Sequence, residues 1–271
     1  MSRDGACVAA QHPPAGSVPL SVFLIARDEA ERLPATLAAV QWAAEIVLVD
    51  SGSSDDTPAI ARAHGARVEH RDWEGYGPQK AYAEGLCGHD WVLNLDADEV
   101  VTPGLAAEIA ALFAAGPPGP AAFELRILNV YPGDTRPRPF ADDYRVVRLY
   151  HRAVGRYRAH PLFDRVELGA GVGARRLRGA VWHYPIVSWE QFVAKENRYT
   201  SFQAETARAR ARTGLLLRLP VEMPFQFLKF YFLRRHVTGG WKGFAFALGA
   251  SFARALRIVK LLARDEARRK K

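Results

Sequence analysis

Four short β-rich runs alternate with helical stretches over the first hundred residues of the chain. The runs that predict strands are residues 19–26, 45–50, 66–70 and 91–95. The stretches that predict helices are residues 31–42, 56–64 and 79–87. This alternation is typical of a parallel sheet covered by helices. We therefore predict an α/β fold whose first half is Rossmann-like and suited to binding a nucleotide.

A Gly- and Pro-rich segment separates this half from a second one. Residues 114–121 include Gly116-Pro117-Pro118-Gly119-Pro120, which cannot form regular structure and predict a loop. Beyond the loop, strands are predicted at residues 123–130, 144–150 and 177–184, and helices at 189–212, 221–236 and 241–263. The first 17 residues lack the charged-then-apolar pattern of a signal peptide and are expected to form a flexible tail.

Composition places the chain among globular proteins of a reducing compartment. Its 271 residues are 49% hydrophobic, which suffices for one large α/β domain with a smaller appendage. The two cysteines, Cys7 and Cys87, lie in no CxxC or Cys/His cluster, so neither a disulfide framework nor a metal-thiolate site is predicted. The longest uncharged stretch late in the chain, residues 243–253, has about half the length that a membrane-spanning helix needs.

The net positive charge of the chain comes entirely from its last quarter. The formal net charge is +8, yet residues 206–271 hold 16 Lys and Arg against 3 Asp and Glu, a net of +13. The first 205 residues therefore carry a net of −5. A nucleic-acid enzyme would place its positive charge around the catalytic groove. The distribution argues against nucleic acid and favours an anionic membrane surface as the partner of the C-terminal region.

The strongest candidate for chemistry is an apolar strand that runs into three acidic residues, Trp91-Val92-Leu93-Asn94-Leu95-Asp96-Ala97-Asp98-Glu99. Two carboxylates two residues apart at a strand end can share one Mg²⁺ or Mn²⁺ ion that keeps open positions for phosphate oxygens. Such an ion would neutralise a diphosphate leaving group. The alternative is an acidic turn before a helix that starts at Thr102-Pro103.

The end of the second predicted strand adds a candidate nucleoside site. Ligands of open α/β sheets bind beyond the carboxyl ends of the strands, so Asp50 can accept hydrogen bonds from a nucleoside. Ser51 and Gly52 supply a tight turn with free backbone N–H groups. The alternative is that Asp50 only caps its own turn.

Two further segments belong to the same candidate pocket. The first strand ends in Ala26-Arg27-Asp28-Glu29, next to the second strand in a doubly wound sheet. Lys80 opens the helix before the acidic strand and can reach a nucleotide or a phosphate. A solvent-exposed lysine at a helix start is the alternative for Lys80.

These residues together resemble glycosyltransferase family 2, and the nearest branch is the bacterial lipopolysaccharide-core β-1,4-glucosyltransferase type. The runs that carry the resemblance are Asp50-Ser51-Gly52-Ser53, Gly75-Tyr76-Gly77-Pro78-Gln79-Lys80 and Leu95-Asp96-Ala97-Asp98-Glu99. It is strong over about residues 20–110 and looser beyond. The resemblance implies a GT-A fold, a UDP-sugar-type donor, a divalent metal held by the Asp96-Ala97-Asp98 motif, and inversion at the anomeric carbon.

Inversion by direct displacement needs a general base that deprotonates the acceptor hydroxyl. The family places a carboxylate, often a Glu preceded by His, in the second half of the chain. The matching stretch here is residues 160–167, where Asp164 is the favoured base. Phe163 stands where the family has His, a departure that leaves His160 and Glu167 as alternatives.

Three more positions resemble family positions. His183, Lys195 and Arg198 are candidates for contacts with the diphosphate or the acceptor. A histidine at a strand end is also often an ordinary hydrogen-bonded residue, and the lysine and arginine can equally be helix surface.

An arginine-rich stretch lies in the half that is expected to hold the acceptor. Its members are Arg136, Arg138, Arg145, Arg148, Arg152, Arg156 and Arg158. Arginines bind phosphate and carboxylate groups in a bidentate manner, which suits a phosphorylated acceptor. Ion pairs with Asp134, Asp142 and Asp143 are an equally good interpretation.

The C-terminal helices combine aromatic and basic residues. Phe244, Leu248, Phe252, Leu256 and Val259 recur at helical spacing, which predicts a basic amphipathic helix lying on a membrane surface. The alternative is a helix that faces the core. The predicted organisation is a tail over residues 1–17, a nucleotide-sugar-binding half at 18–115, an acceptor-binding half of the same GT-A domain at 121–213, and a membrane-association region at 214–271.

The sequence as a whole predicts a metal-dependent, inverting glycosyltransferase. It would transfer a hexose from a nucleotide-diphosphate sugar to a lipid-linked or lipopolysaccharide-core saccharide. Its expected location is the cytoplasmic face of the bacterial inner membrane, as a peripheral protein. Two alternatives stay open, a nucleotidyltransferase that makes nucleotide sugars and a non-catalytic nucleotide-binding protein of the membrane surface.

Overall fold

The computed structural model describes residues 15, 18–160, 164–207 and 211–269. The predicted flexible tail, residues 1–17, lies outside these residues apart from Ala15. The chain folds into two compact units. The first contains the described residues up to Leu128 together with residues 143–183, and the second contains residues 129–142 and the described residues from Tyr184 onward.

An eight-stranded mixed sheet forms the centre of the first unit. Its strands are β1 (Val18–Ala26), β2 (Ala43–Asp50), β3 (Arg67–His70), β4 (Trp91–Asn94), β5 (Glu99–Val101), β6 (Ala122–Asn129), β7 (Asp143–His151) and β10 (Arg175–His183). They lie in the order β3-β2-β1-β4-β7-β6-β10-β5. β1 pairs in parallel with β2 and β4, and β2 with β3, whereas β4–β7, β6–β7 and β10–β5 are antiparallel. The parallel half confirms the predicted Rossmann-like α/β class.

Four helices and a small hairpin accompany the sheet. The helices are α1 (Leu33–Ala38), α2 (Thr57–Ala63), α3 (Tyr76–Leu86) and α4 (Pro103–Phe113). Strands β8 (Gly155–Tyr157) and β9 (Val166–Leu168) form the separate hairpin. A proline in the first turn starts α1, α2 and α4, where its missing N–H costs nothing. The Thr102 side chain caps α4 by accepting a hydrogen bond from the Leu105 N–H.

Continuous apolar runs explain why the parallel strands are central. The residues of β1 and β2 that face the two sides of the sheet are nearly all buried, as expected when helices cover both faces. Trp42, Phe23 and Leu48 are among the largest side chains that are fully buried in the described chain. The predicted loop at residues 114–121 connects α4 to β6 within this unit.

The second unit is helical. It contains α5 (Trp189–Thr206), α6 (Arg212–Leu228), a π-helical turn (Lys229–Leu233), a 3₁₀ turn (His236–Gly239) and α7 (Gly240–Arg269). The single helix predicted at 189–212 ends instead at Thr206, and a new helix starts at Arg212. Pro220 and Pro224 lie inside α6, which starts nine residues before the predicted start at residue 221. Among the described helices, none is long and apolar enough to cross a bilayer.

Candidate functional site

The carboxyl ends of β1, β2 and β4 meet at one edge of the sheet, as parallel pairing requires. Ala26 lies opposite Asp50 in the β1–β2 register, and Phe23 lies opposite Asn94 in the β1–β4 register. The segments that follow these strands therefore share one side of the first unit. This edge brings the predicted nucleotide residues and the acidic motif into the same region.

The turn after β2 is organised around Asp50. Its carboxylate Oδ2 accepts hydrogen bonds from the N–H groups of Gly52 and Ser53 at 3.0 and 3.1 Å. Gly52 has φ +84°, a conformation that glycine adopts without strain. Ser51 Oγ accepts a hydrogen bond from Gln79 Nε2 at 2.9 Å, which ties the turn to α3. In this arrangement Asp50 caps its own turn, and its predicted contact with a nucleoside stays a prediction.

The loop after β1 is tied to the loop after β2. Asp28 Oδ1 accepts a hydrogen bond from the Ser54 N–H at 2.7 Å, while the Asp28 N–H donates to Ser53 Oγ. Arg27 is exposed and approaches Asp28 at 3.7 Å. Glu29 pairs with Arg32 at 2.6 Å, and burial raises the pKa of Glu29 against the opposing effect of that guanidinium. The predicted residues 26–29 therefore lie at the same edge, where Asp28 and Glu29 are held by these contacts.

Asp96 lies between two buried cations. Its carboxylate is 2.8 Å from Lys80 Nζ and 2.7 Å from Arg148 Nη2. Burial alone would raise the pKa of Asp96, but Arg148 and Lys80 hold it well below its usual range. Ala97, the middle residue of the motif, is buried, and its carbonyl accepts a hydrogen bond from Thr36 Oγ1 at 2.8 Å. Asp96 is thus ionised and fixed in position.

Asp98 points to a different set of partners. Its Oδ2 is 3.1 Å from Arg32 Nη1 and 3.4 Å from His183 Nε2. His183 is brought there by the antiparallel β10–β5 pairing, in which it lies opposite Glu99. Burial favours the neutral imidazole, but the hydrogen bond and charge of Asp98 outweigh burial and raise the pKa of His183. The predicted residue His183 therefore joins the acidic motif.

Lys80 links the acidic motif to the favoured base. The Lys80 side chain is fully buried, and its Nζ is 2.9 Å from Asp164 Oδ1 as well as 2.8 Å from Asp96. The interpretation of Lys80 as a solvent-exposed lysine is wrong, since two carboxylates compensate its buried charge. These contacts raise the pKa of Lys80 in spite of burial and of the Arg148 charge.

The two alternative bases have other partners. Glu167 lies on β9, where its carboxylate is 3.2 Å from Arg158 Nη1, and both side chains are exposed. The His160 backbone N–H donates to the Arg158 carbonyl. Phe163 and the two residues before it lie outside the described chain. Of the three candidates, Asp164 is the one whose described ion pair connects it to the acidic motif.

Several residues of the site were missed or misinterpreted in the sequence. Arg148 was grouped with the arginine-rich stretch, yet it is buried on β7 and its guanidinium contacts Asn94, Asp96 and Glu99. Its signal in the sequence is a charge inside the apolar run Val146-Val147-Arg148-Leu149-Tyr150. Arg32 gave no signal, because it follows the first strand only as one of several charged residues.

Burial raises the pKa of the Glu99 carboxyl, although the neighbouring Arg148 guanidinium opposes that rise.

A buried polar network supports the site from the hairpin side. The Tyr157 hydroxyl donates to Asn94 Oδ1 at 2.8 Å, and its backbone N–H donates to Glu84 Oε2 at 3.2 Å. Glu84 also accepts a hydrogen bond from the Tyr150 hydroxyl at 2.8 Å. The network connects α3, β4, β7 and β8. It gives these buried polar groups partners, as buried hydrogen-bonding groups require.

The donor set at Asp98 suits a divalent cation in part. Within the described residues no three His, Cys, Asp or Glu side chains converge as a metal-binding group. Asp98 and His183 nevertheless lie 3.4 Å apart and offer a carboxylate oxygen and an imidazole nitrogen. Mg²⁺ usually takes one or two protein carboxylates and completes its shell with water and substrate phosphates. The Asp98 carboxylate therefore fits as a protein ligand of an ion that a diphosphate would share.

Two predicted residues lie in the second unit. Lys195 and Arg198 are on α5, and the Lys195 ammonium donates to the Pro185 carbonyl at 3.2 Å. Their role at a diphosphate or an acceptor stays a prediction. In the same unit Arg138 approaches Asp142 at 3.8 Å, which agrees with an ion pair for this member of the arginine-rich stretch.

Comparison with known proteins identifies the family. Residues 21–172, more than half of the chain, match the family model described as glycosyl transferase family 2. A Rickettsia bellii (strain RML369-C) protein described as an uncharacterized glycosyltransferase is 35% identical over 252 residues, covering 89% of this chain and 85% of its own length. The lipopolysaccharide core biosynthesis glycosyltransferase LpsC of Rhizobium meliloti (strain 1021) is 30% identical over 267 residues, covering 91% of this chain and 93% of its own.

Among solved structures, residues 1–349 of TarS from S. aureus superpose with a TM-score of 0.44 at 14% identity, covering 93% of this chain and 91% of that one. The family match and the two relatives agree with the resemblance carried by the acidic motif and the nucleotide turn. The chain belongs to glycosyltransferase family 2 and is a glycosyltransferase of that family.

Proposed function

We propose that this glycosyltransferase transfers a hexose from a nucleotide-diphosphate sugar, most simply a UDP-sugar, to a lipid-linked or lipopolysaccharide-core saccharide with inversion at the anomeric carbon. The observation that carries the proposal is the position of Asp96 and Asp98 at the carboxyl edge of the parallel strands. There the two carboxylates are flanked by Lys80, Arg148 and His183. A site with this mixture of charges suits a negatively charged diphosphate and an attacking hydroxyl.

In this proposal the nucleoside lies on the loops after β1 and β2. Asp50, Ser51 and Gly52 supply one wall, and the backbone and side chains of residues 26–29 supply the other. The hydrogen bonds between Asp28, Ser53 and Ser54 support the assignment, because they hold both loops in one geometry before a ligand arrives. A preformed pocket loses less conformational entropy on binding.

The diphosphate is proposed to lie at Asp96, Ala97 and Asp98. Asp98 and Asp96 would hold the divalent cation, and His183, whose Nε2 is 3.4 Å from Asp98 Oδ2, would contact the diphosphate. When bound, Mg²⁺ or Mn²⁺ supplies positive charge that stabilises the departing diphosphate. The chain's own cation, Lys80, stays beside Asp96 and contributes a fixed positive charge in a buried environment, where its field is weakly screened.

Asp164 is proposed as the general base. It would accept the proton of the acceptor hydroxyl as that oxygen attacks the anomeric carbon from the face opposite the diphosphate. Lys80 bridges Asp164 and Asp96, so the same cation orients the proposed base and the motif that holds the leaving group. Glu167 and His160 stay as the alternatives that the same experiments can compare.

The acceptor assignment rests on the relative with a defined role. LpsC is named for lipopolysaccharide core biosynthesis, and its similarity extends over nearly the whole of both chains. We therefore propose a saccharide of the lipopolysaccharide core, or another lipid-linked saccharide, as the acceptor. His183, Lys195 and Arg198 are proposed contacts of the diphosphate or of the acceptor.

An anionic membrane surface is the proposed partner of the second unit, on the cytoplasmic face of the bacterial inner membrane. α6 and the π-helical turn after it expose an apolar stripe at intervals of three and four residues, namely Leu217, Val221, Phe225, Leu228 and Phe232. Leu217 is 76% exposed and Phe225 62%, whereas Leu215, Glu222 and Gln226 on another face of the helix are buried. A second stripe on α7 contains Trp241, Phe244, Leu248 and Phe252. The interpretation of these stripes as core-facing does not fit their exposure, which supports peripheral attachment to a bilayer.

The central test is Asp98→Ala in the full-length protein. We expect hexose transfer to fall by at least a hundredfold in buffer containing Mn²⁺ or Mg²⁺, because the proposed cation loses one of its carboxylates. Asp90→Ala is the matched control, since Asp90 precedes the opposite end of β4 and is exposed. Transfer is measured by mass spectrometry of the acceptor, with the anomeric configuration of the product read by NMR and the fold by circular dichroism.

Full activity of Asp98→Ala with metal present would overturn the metal assignment. A product that retains the anomeric configuration would overturn inversion and the role of Asp164 as base. Deleting the gene in its host and weighing the lipid-linked glycans identifies donor sugar and acceptor together, because the glycan then lacks one residue. Unchanged glycans would contradict the proposed acceptor class.

A further inference from the structure

A hydrophobic groove of about 610 Å³ lies between α5 and α7 in the second unit. Its apolar walls come from both helices and consist of Phe192, Val193, Ala194, Phe252, Ala253 and Leu256. Val193 is 60% exposed and Phe252 53%. The groove is therefore apolar surface that the chain leaves in contact with water, at a size typical of ligand pockets.

Two attachments between the helices define the ends of the groove. At one end the Phe192 ring lies against α7 where Gly249 has no side chain, and a Cβ there would come within 2.5 Å of the ring. At the other end the Lys260 ammonium donates to the Asn197 carbonyl at 2.8 Å and to its side-chain oxygen at 2.7 Å. The groove lies along the two helices between the Phe192 contact and the Lys260 hydrogen bonds, and its lining comes from both helices.

The charged groups of the groove argue against a small anionic ligand. Its polar lining consists of Glu190, Glu196 and Asn197, with no ammonium or guanidinium among the lining residues. Burial raises the pKa of Glu196 although Lys195 and Arg254 oppose the rise. Two carboxylates would repel a fatty-acid or phosphate headgroup inside the groove. An uncharged hydrocarbon chain is the ligand that these walls suit.

The surroundings of the groove indicate where such a chain would come from. Phe252 belongs both to the groove and to the exposed apolar stripe of α7, so the groove opens onto that stripe. Arg254, on α7 two positions from both Phe252 and Leu256, is exposed, and the chain from residue 206 onward carries basic residues with a net charge of +13. Their charge complements the headgroups of an anionic bilayer, which attract Lys and Arg near the surface.

We propose that the groove between α5 and α7 binds one acyl chain of an anionic membrane phospholipid, whose headgroup stays outside among the basic residues. The proposal rests on the membrane attachment proposed above and adds a defined lipid site to it. A chain held in this way would fix the second unit at the bilayer by a specific contact, in addition to its general affinity for the surface.

Photo-crosslinking tests the site with the full-length protein. Vesicles of phosphatidylcholine with about 30% phosphatidylglycerol resemble the anionic surfaces that attract basic segments. One acyl chain of the phosphatidylglycerol carries a diazirine, and mass spectrometry locates the adducts after irradiation. We expect adducts on Val193 or Leu256, which line the groove and do not belong to the stripe. Adducts confined to the stripe residues Trp241, Phe244, Leu248 and Phe252 would overturn the groove, since they would report only chains beneath the exposed stripe.

Ala194→Trp fills the groove from an exposed position, and Ala263→Trp, exposed on α7 and outside the lining, is the matched control. We expect Ala194→Trp to lower the groove adducts at least fivefold while vesicle co-sedimentation changes less than twofold. The control should change neither. An unchanged yield of groove adducts in Ala194→Trp would overturn the site. If this variant does not fold, the crosslink mapping on the unsubstituted protein still tests the proposal.

Two further outcomes separate this proposal from others. If the protein does not sediment with vesicles at all, membrane attachment fails and the groove fails with it. If the unsubstituted protein sediments but gives no groove adducts, attachment survives and the groove alone is wrong. A dimer in vesicle-free buffer that Ala194→Trp dissociates would make the groove a contact between two copies and would also overturn the lipid site.

Discussion

Arg148 and Lys80 are buried charged side chains beside the acidic motif. Each is compensated by carboxylates, with Asp96 shared between them. Removing one member of such a buried set leaves the others unpaired, which is far more costly than losing an exposed ion pair. The geometry of Asp96 is therefore fixed by residues that lie 16 positions before it and 52 positions after it in the chain.

Glu84 provides a pH test at the scale of one residue. Burial raises its pKa from the usual 4.5, although hydrogen bonds from Tyr150 and Tyr157 oppose the rise. The folded state therefore holds this proton more tightly than the unfolded state. Its contribution to stability is complete below pH 4.5 and is lost as the pH rises through the raised value. One such proton changes the free energy of unfolding by at most ~1.4 kcal/mol per pH unit.

Glu84→Gln removes this titration and keeps the size of the side chain. We expect its unfolding free energy to decline less than that of the unsubstituted protein between pH 4.5 and pH 7.5. Urea unfolding at several pH values measures both curves, and Glu69→Gln, on β3 and away from this network, serves as control. Parallel curves for the two proteins would contradict the assigned direction of the Glu84 shift.

At the scale of elements, the pairing of β10 with β5 completes the acidic site. β5 follows Asp98 directly, and the register Val181–Val101 brings His183 to the motif. α4 packs against β10 at Gly179, where an added Cβ would lie 2.5 Å from Leu105 Cα and 2.8 Å from its N. Because both contacts are to backbone atoms of Leu105, no side-chain rotation can relieve the clash, and the strand or the helix would have to move.

Gly179→Ala is therefore expected to destabilise the protein by about 1–3 kcal/mol, the usual cost of overpacking a close contact. Gly104→Ala is the matched control, since it lies in α4 with no atom within 4 Å of an added Cβ. That control should be neutral or stabilising by up to about 1 kcal/mol, because alanine favours helix. Urea unfolding measures both. Equal stability of the two variants would show that α4 and β10 can separate without cost.

The sequence predicted best those elements whose position is set by the pattern of their own residues and of the turns beside them. β1, β2, β3 and β4 lie within two residues of their predicted positions, since each is a short apolar run between turn signals. β5 was missed because its three residues continue the acidic motif. α4 was anticipated only in the alternative interpretation of that motif, as a helix starting at Thr102-Pro103, because its apolar residues lie on nearly every side and give no periodic pattern. The same distinction holds in the site. Asp96 and Asp98 follow a strand, whereas Arg148 and His183 reach the motif only through pairings of distant strands.

At the scale of the whole molecule, the separation of charge predicts a salt-sensitive attachment. Residues 206–271 carry a net charge of +13 while the rest of the chain is acidic. We expect binding to vesicles with anionic lipid to fall at least tenfold between 0.1 M and 1 M salt, where the Debye length shrinks from about 10 Å to about 3 Å. The exposed apolar stripes should preserve a residual affinity at high salt.

Vesicle co-sedimentation over a salt series measures this dependence, and neutral phosphatidylcholine vesicles are the control. Binding to neutral vesicles should be weaker and nearly independent of salt. Equal affinity for neutral and anionic vesicles would contradict an electrostatic contribution from the basic residues. A complete loss of binding at high salt would contradict the contribution of the apolar stripes.

The strand order also has a consequence for how the protein is made. β1, β2 and β3 all lie before residue 71 and pair with one another in parallel, so they can assemble while the rest of the chain is still being synthesised. β5 can pair only after β10, about 80 residues later in the chain, has been synthesised. Closing such a long loop is slow compared with forming contacts between residues that are close in sequence. A nascent chain that ends before residue 175 thus has the loops after β1 and β2 but not the strand that carries His183 to Asp98. We expect catalytic competence to arise late in biosynthesis, after β1, β2 and β3 have already paired.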